Sequence, residues 1–121
     1  MNNSKFKVEF YDKEDGRSPA REFLDGLDAK MFAKMVRAID VLKAGGTMVR
    51  EPYSKHLDDG IFEVRAQISS NISRVLFFFY VDRCIVLTHG FIKKTQKTPP
   101  SEIKLAKKYR AEFINRKGNK Q

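Results

Sequence analysis

A chain of 121 residues, 41% of them hydrophobic, is long enough for one hydrophobic core and too short for two. Its 24 Lys and Arg against 15 Asp and Glu give a formal net charge of +9, concentrated toward the C-terminus, where ten Lys or Arg from Lys93 onward meet only Glu102 and Glu112. No apolar run approaches the roughly 20 residues of a bilayer span, the start MNNSKFK has no signal-peptide core, and one cysteine with two distant histidines argues against an internal disulfide or a structural zinc site.

These bounds predict a cytoplasmic protein with no metal or organic cofactor, forming a single domain over 1–121 with a mobile tail from about 115. The charge asymmetry suits nucleic acid, an anionic surface or an acidic protein, and equally a solubilising face. Phe6 to Tyr11 alternates apolar with polar and reads as a first strand. Ser18-Pro19 opens a helix with Phe23, Leu24 and Leu27 on its apolar side, because serine accepts from free N–H groups and proline is tolerated at the first helical position. Asp28 caps a second helix, in which Met31, Met35, Ala38, Ile39 and Leu42 recur at helical spacing until Gly45-Gly46 stops it. Arg50 to Asp59 is polar and turn-like. Strands over 61–68, 72–81 and 84–92 follow, and Thr98-Pro99-Pro100 starts a last helix with Ile103, Ala106, Tyr109 and Phe113 on one side. The fold class is α+β, in the order β-α-α-β-β-β-α. Cys84, in the apolar string Cys84-Ile85-Val86-Leu87, reads as a buried filler.

Register carries the reading toward function. A two-residue loop at Asp82-Arg83 places Val81 opposite Cys84, Leu76 opposite His89 and Arg74 opposite Phe91; a second at Ser69-Ser70 places Arg65 opposite Arg74 and Glu63 opposite Leu76. Opposite residues share a face. One face then carries Phe62, Val64, Ala66, Ile68, Val75, Phe77, Phe79, Val81, Val86 and Ile92 for the first two helices to cover. The other carries Glu63, Arg65, Gln67, Arg74, His89, Phe91 and Lys93 at one end, and Leu76, Phe78, Tyr80, Ile85 and Leu87 at the other. With the last helix over the apolar end only, the polar end is expected to be an open basic hollow, in which replacing Arg74 would leave the fold intact.

Cleaving RNA through its own 2′-hydroxyl needs a base near that oxygen, cations against the phosphorane and an acid for the leaving 5′-oxygen. Glu63, His89, Arg65, Arg74, Lys93 and Lys94 can supply these roles, and Phe91 can stack on a base. Each has a plainer reading. Glu63 can neutralise an arginine, His89 can be a hydrogen-bonded strand residue, Phe91 can be core, and Lys93, Lys94 and Lys97 can simply solvate the surface.

The segment Lys55-His56-Leu57-Asp58-Asp59-Gly60-Ile61-Phe62-Glu63-Val64-Arg65, then Arg74-Val75-Leu76-Phe77, and above all His89-Gly90-Phe91-Ile92-Lys93-Lys94-Thr95-Gln96-Lys97-Thr98-Pro99, resemble the phage-derived Gp49-like, HigB-type branch of the RelE/ParE toxin superfamily. The resemblance spans Phe6 to about Phe113. It implies an RNase-like microbial toxin (RelE-like) fold and a type II toxin that cuts messenger RNA, usually on the ribosome. It also implies an antitoxin with a helix-turn-helix DNA-binding domain, through which the pair meets its operator DNA. By position, Arg65, Arg74 and the Lys93-Lys94 pair match basic residues of that group, with Glu63 and His89 as the remaining catalytic candidates and Phe91, Lys94, Lys97 and Lys55 as RNA contacts. Where RelE-type enzymes often carry lysine this chain has Glu63, so the base is either Glu63 or His89. ParE-type members share the fold but inhibit DNA gyrase, and a plain nucleic-acid-binding module is a third reading.

Overall fold

The structure, a computed structural model, describes residues 5–118. In chain order it comprises β1 (Lys7–Phe10), α1 (Pro19–Asp25), α2 (Ala29–Gly45), a single 3-10 turn (Gly46–Met48), β2 (Ser54–Asp58), β3 (Ile61–Ile68), β4 (Asn71–Tyr80), β5 (Cys84–Lys93) and α3 (Pro100–Gly118). The expected α+β class and mostly antiparallel sheet are present. The five strands lie in the order β1-β5-β4-β3-β2, and only the β1–β5 pair is parallel.

Both N-terminal helices begin as their sequence dictates. The Ser18 hydroxyl accepts from Arg21 N–H at 3.4 Å and the Asp28 carboxylate from Met31 N–H at 2.9 Å, each satisfying an otherwise orphaned first-turn donor. α2 ends at Gly46, whose φ of +54° suits glycine, and a side chain there would collide with the Phe6 ring. α3 continues past the point where a mobile tail was expected to begin. Its Arg116 donates to the Asp12 carbonyl at 2.8 Å, and residues 119–121 of that tail lie outside the described residues.

One element was missed. Ser54–Asp58, expected as turn, is an edge strand paired with β3 through Ser54 to Val64, Lys55 to Glu63 and His56 to Phe62, with a shift before Asp58 meets Ile61. Its lysine-bearing polar sequence reads as loop, yet an edge strand pairs on one side only, and charge on the other side discourages further pairing.

Register around the site is as expected: Arg65 lies opposite Arg74, Glu63 opposite Leu76, Leu76 opposite His89, and Arg74 opposite Phe91. The hairpin beyond it differs. Tyr80 rather than Val81 faces Cys84, so the loop is Val81-Asp82-Arg83, with Asp82 and Arg83 both at positive φ. The residue so gained is absorbed by a bulge that leaves Thr88 without an opposite partner between the Leu76–His89 and Phe77–Leu87 pairs.

Between loop and bulge, β5 is therefore turned over relative to expectation. Ile85 and Leu87 pack with Val64, Val75, Phe77 and the α1 and α2 residues Leu24, Met31, Met35, Ile39 and Leu42, while Val86 packs with Leu76, Phe78, Tyr109 and Phe113 under α3. Val81, placed on the core face by the two-residue loop, is exposed, as is Ile92 at the far end of β5. Gly90 is where α1 presses on the sheet: a Cβ there would lie 2.4 Å from the Phe23 ring. The glycine of the His-Gly-Phe motif thus serves packing on the face opposite His89 and Phe91.

Candidate functional site

The sheet brings Glu63, Arg65, Arg74, His89 and Phe91 together on the α3 face, but not as an open hollow. Glu63 and Arg74 are fully buried and His89 nearly so. They are enclosed because the chain leaving β5 folds back over the face as a strap, Lys94–Pro99, before α3 begins. Arg74 donates to the carbonyls of Thr95 and Gln96, the latter at 2.9 Å, and reaches the Lys93 carbonyl at 3.5 Å. Its guanidinium also lies 5.6 Å from the centre of the Phe91 ring. The open face is thereby overturned for Arg74. An arginine flanked by apolar strand residues must be paired or solvated, and here strap carbonyls take the place of water.

Glu63 is the hub beneath the strap. One carboxylate oxygen, Oε2, accepts from Arg65 Nε at 2.5 Å; the other, Oε1, accepts from the Thr98 hydroxyl and lies 3.5 Å from Arg74 Nε. That last contact is an ion pair without hydrogen-bond geometry, so Arg74 Nε is the one buried side-chain polar atom among the described residues that lacks a hydrogen-bond partner. Burial first, and then the charge of Arg65, lower the pKa of Arg74, with Glu63 opposing them.

Arg65 is placed differently. Its side chain retains 19% of its exposure and lines a hollow of about 350 Å³ together with Lys55, Lys97, Thr98, Ile103 and Glu63. Its outer nitrogens are held by Gln96, Nη1 donating to the side-chain oxygen at 3.2 Å and Nη2 to the main-chain carbonyl. Lys55 joins because β2 sets it opposite Glu63. Lys93, Lys94 and Lys97 are exposed along the strand end and strap.

His89 belongs to a second cluster. Its Nε2 is 3.0 Å from Glu102 of α3, its Nδ1 is 3.1 Å from the hydroxyl of the bulged Thr88, and that hydroxyl is 3.1 Å from the Leu76 carbonyl. Burial lowers the His89 pKa, and the hydrogen bond and charge of Glu102 oppose the shift. In the neutral ring Nε2–H donates to Glu102 and Nδ1 accepts from Thr88. A second proton on the imidazole makes Nδ1 a donor and turns the Thr88 hydroxyl to Leu76.

Thr98, Gln96, Glu102 and Thr88 were not singled out from sequence. Thr98 and Glu102 read as ordinary residues at a helix start, and the strap that delivers Gln96 leaves no periodic signature. Among the described residues no group of three or more His, Cys, Asp or Glu side chains gathers to ligate a metal, and no helix is long and apolar enough to cross a membrane.

No curated protein matches the chain. The family described as phage-derived protein Gp49-like (DUF891) matches residues 22–111, a span that holds α2, all of β2 to β5, the strap and every candidate site residue named above. The chain therefore belongs to the phage-derived Gp49-like family, a family associated with the toxins of toxin–antitoxin systems.

Proposed function

We propose that the chain is the toxin of a type II toxin–antitoxin pair, a RelE-like endoribonuclease that cuts messenger RNA on the ribosome by directing a ribose 2′-hydroxyl onto the adjacent phosphate. The observation that carries this reading is Arg65, a half-buried guanidinium aimed by a fully buried carboxylate into a hollow that also holds Lys55 and Lys97. A scissile phosphate would take over the acceptor positions now filled by Gln96, forming charge-assisted bonds that strengthen as the phosphorane gains charge.

Arg74 and Glu63 act as positioning residues, Glu63 fixing Arg65 and Arg74 tying Glu63 to the strap. Proton transfer is assigned to the His89–Glu102 pair. A histidine whose pKa is lowered is neutral at physiological pH and donates its Nε2–H to Glu102, which stands in the chain beside Ile103 of the hollow and whose carboxylate takes the proton of the 2′-hydroxyl. Lys93, Lys94 and Phe91 extend the RNA contact along the strand end. The partner is an antitoxin with a helix-turn-helix domain, whose acidic segment covers the basic end and whose DNA-binding part carries the pair to its operator.

The test is Arg65→Ala in ribosomes primed with messenger RNA, read by primer extension. Cleavage should fall by about a hundredfold, as on removal of one oxyanion donor, in a variant checked to be folded at the assay temperature, where Glu63 keeps the Thr98 hydroxyl and the charge of Arg74 at 3.5 Å. Growth arrest by a wild-type protein that cuts no RNA but inhibits gyrase would replace this reading with the ParE-type one.

A further inference from the structure

A second trough adjoins the hollow of Arg65, and nothing in the reading above assigns it. It has a volume of about 470 Å³ and lies between α2, the turn before β2 and the stretch of β3 that extends past β2; Lys55, Arg65 and Gln96 line both depressions. Its walls carry the cations Lys34, Arg37, Lys55 and Arg65 against one carboxylate, Glu51. Lys34 donates to the Gln67 carbonyl at 2.6 Å, whereas Arg37 and Lys55 are exposed and without an ion-pair partner among the described residues. Tyr53, 42% exposed, stands among these cations. Its main chain is fixed, since the Tyr53 carbonyl accepts from Arg65 N–H at 3.1 Å.

We infer that this trough is the binding track for the single-stranded RNA flanking the cleaved phosphate, with Tyr53 as a stacking platform for one base and Arg37, Lys34 and Lys55 as its phosphate contacts. The inference rests on the RNA-cleaving reading and adds to it a place and a direction: the strand leaves Arg65 past Tyr53 toward α2. Three features together favour RNA over an acidic peptide. The cations are spread over α2, β2 and β3 rather than gathered on one element, an aromatic residue stands among them, and the trough shares Lys55, Arg65 and Gln96 with the hollow where a phosphate would be held, so a strand leaving that hollow enters it. Stacking would supply affinity without reading sequence, because every base has a π-face.

The intact protein is titrated into a fluorescein-labelled, 2′-O-methylated oligoadenylate that it cannot cut, and cleavage of messenger RNA in primed ribosomes is followed in parallel by primer extension. Tyr53→Ala should weaken binding by about tenfold at unchanged thermal stability, since its side chain is largely outside the core. Arg37→Gln should flatten the plot of log affinity against log salt by about 0.7, one phosphate contact on a single strand. Wild-type affinity and salt slope in both variants, with the parent binding and cutting RNA, would overturn the track and leave the cleavage reading standing. A parent that binds with both variants impaired but cuts no messenger RNA in primed ribosomes would keep the track and remove the nuclease. If the variants lose affinity for the antitoxin and none for RNA, the trough holds an acidic protein segment and the inference falls.

Discussion

Arg74→Ala tests whether the buried hub is as described. Arg74 and Glu63 are both fully enclosed, and removing one partner of a buried ion pair typically costs about 3–5 kcal/mol because the other charge is left uncompensated. Here the lower end applies. Glu63 keeps Arg65 at 2.5 Å and the Thr98 hydroxyl, and the strap carbonyls released from Arg74 belong to exposed residues that water can reach. A loss of about 3 kcal/mol corresponds to roughly 12 °C in Tm for a domain of this size, or about 2 M in urea midpoint at an m-value near 1.5 kcal/mol/M. The assay is urea unfolding of Arg74→Ala, Arg74→Met, Glu63→Gln and the Arg74→Met/Glu63→Gln double variant. The double variant should be at least 1 kcal/mol more stable than the sum of its single changes predicts, because it removes the unpaired carboxylate. A loss below about 1 kcal/mol in Arg74→Ala, or a cycle without coupling, would refute the enclosed hub and restore an open basic face.

Three further outcomes follow from particular contacts. The lowered pKa of His89 means that below the ordinary imidazole value the unfolded chain takes a proton that the folded chain refuses, so stability should fall as pH drops from about 7 to about 5, and His89→Gln should flatten that slope in urea midpoints; an unchanged slope would place the titration elsewhere. Gly90→Ala should cost about 1–3 kcal/mol in the same assay, because its methyl would lie 2.4 Å from the Phe23 ring, and the Phe23→Leu background should recover part of the loss. The Cys84 thiol, pushed up to about 11 by burial and then by Glu9, should resist a thiol reagent at neutral pH until the protein unfolds; rapid labelling of the native form would contradict its position under α3.

What was legible in the sequence was what local chemistry decides. Ser18 and Asp28 cap their helices, Gly46 ends α2, and apolar runs rich in β-branched and aromatic residues mark β3 and β4, since each of these depends on neighbours a few residues away. The edge strand at Ser54–Asp58 was not legible, because what makes it a strand is the free side of β3 and not its own composition. The strap was not legible either. Whether Arg74 meets water or carbonyls depends on where the chain goes twenty residues later, and a Lys-Thr-Gln-Lys sequence reads as solvated loop even when its main chain lies over a guanidinium.

The register near the site came out right for an incomplete reason, and the bulge explains why. A three-residue loop shifts β5 by one position, which in an uninterrupted strand would turn His89 and Phe91 toward α1 and bring Gly90 under α3. Thr88 takes up that one residue. Beyond it His89 stands opposite Leu76 on the α3 face, Gly90 meets Phe23 on the other, and the Thr88 hydroxyl is left within reach of both the His89 ring and the Leu76 carbonyl. A single bulge therefore does two things: it lets Val86 and His89, three residues apart, share one face, and it supplies the hydroxyl that bonds Nδ1 of the histidine. Bulges that re-aim a side chain and bond it in the new position are characteristic of sites where orientation matters, and this one sets the ring nitrogen against Glu102 that the proposed proton transfer uses.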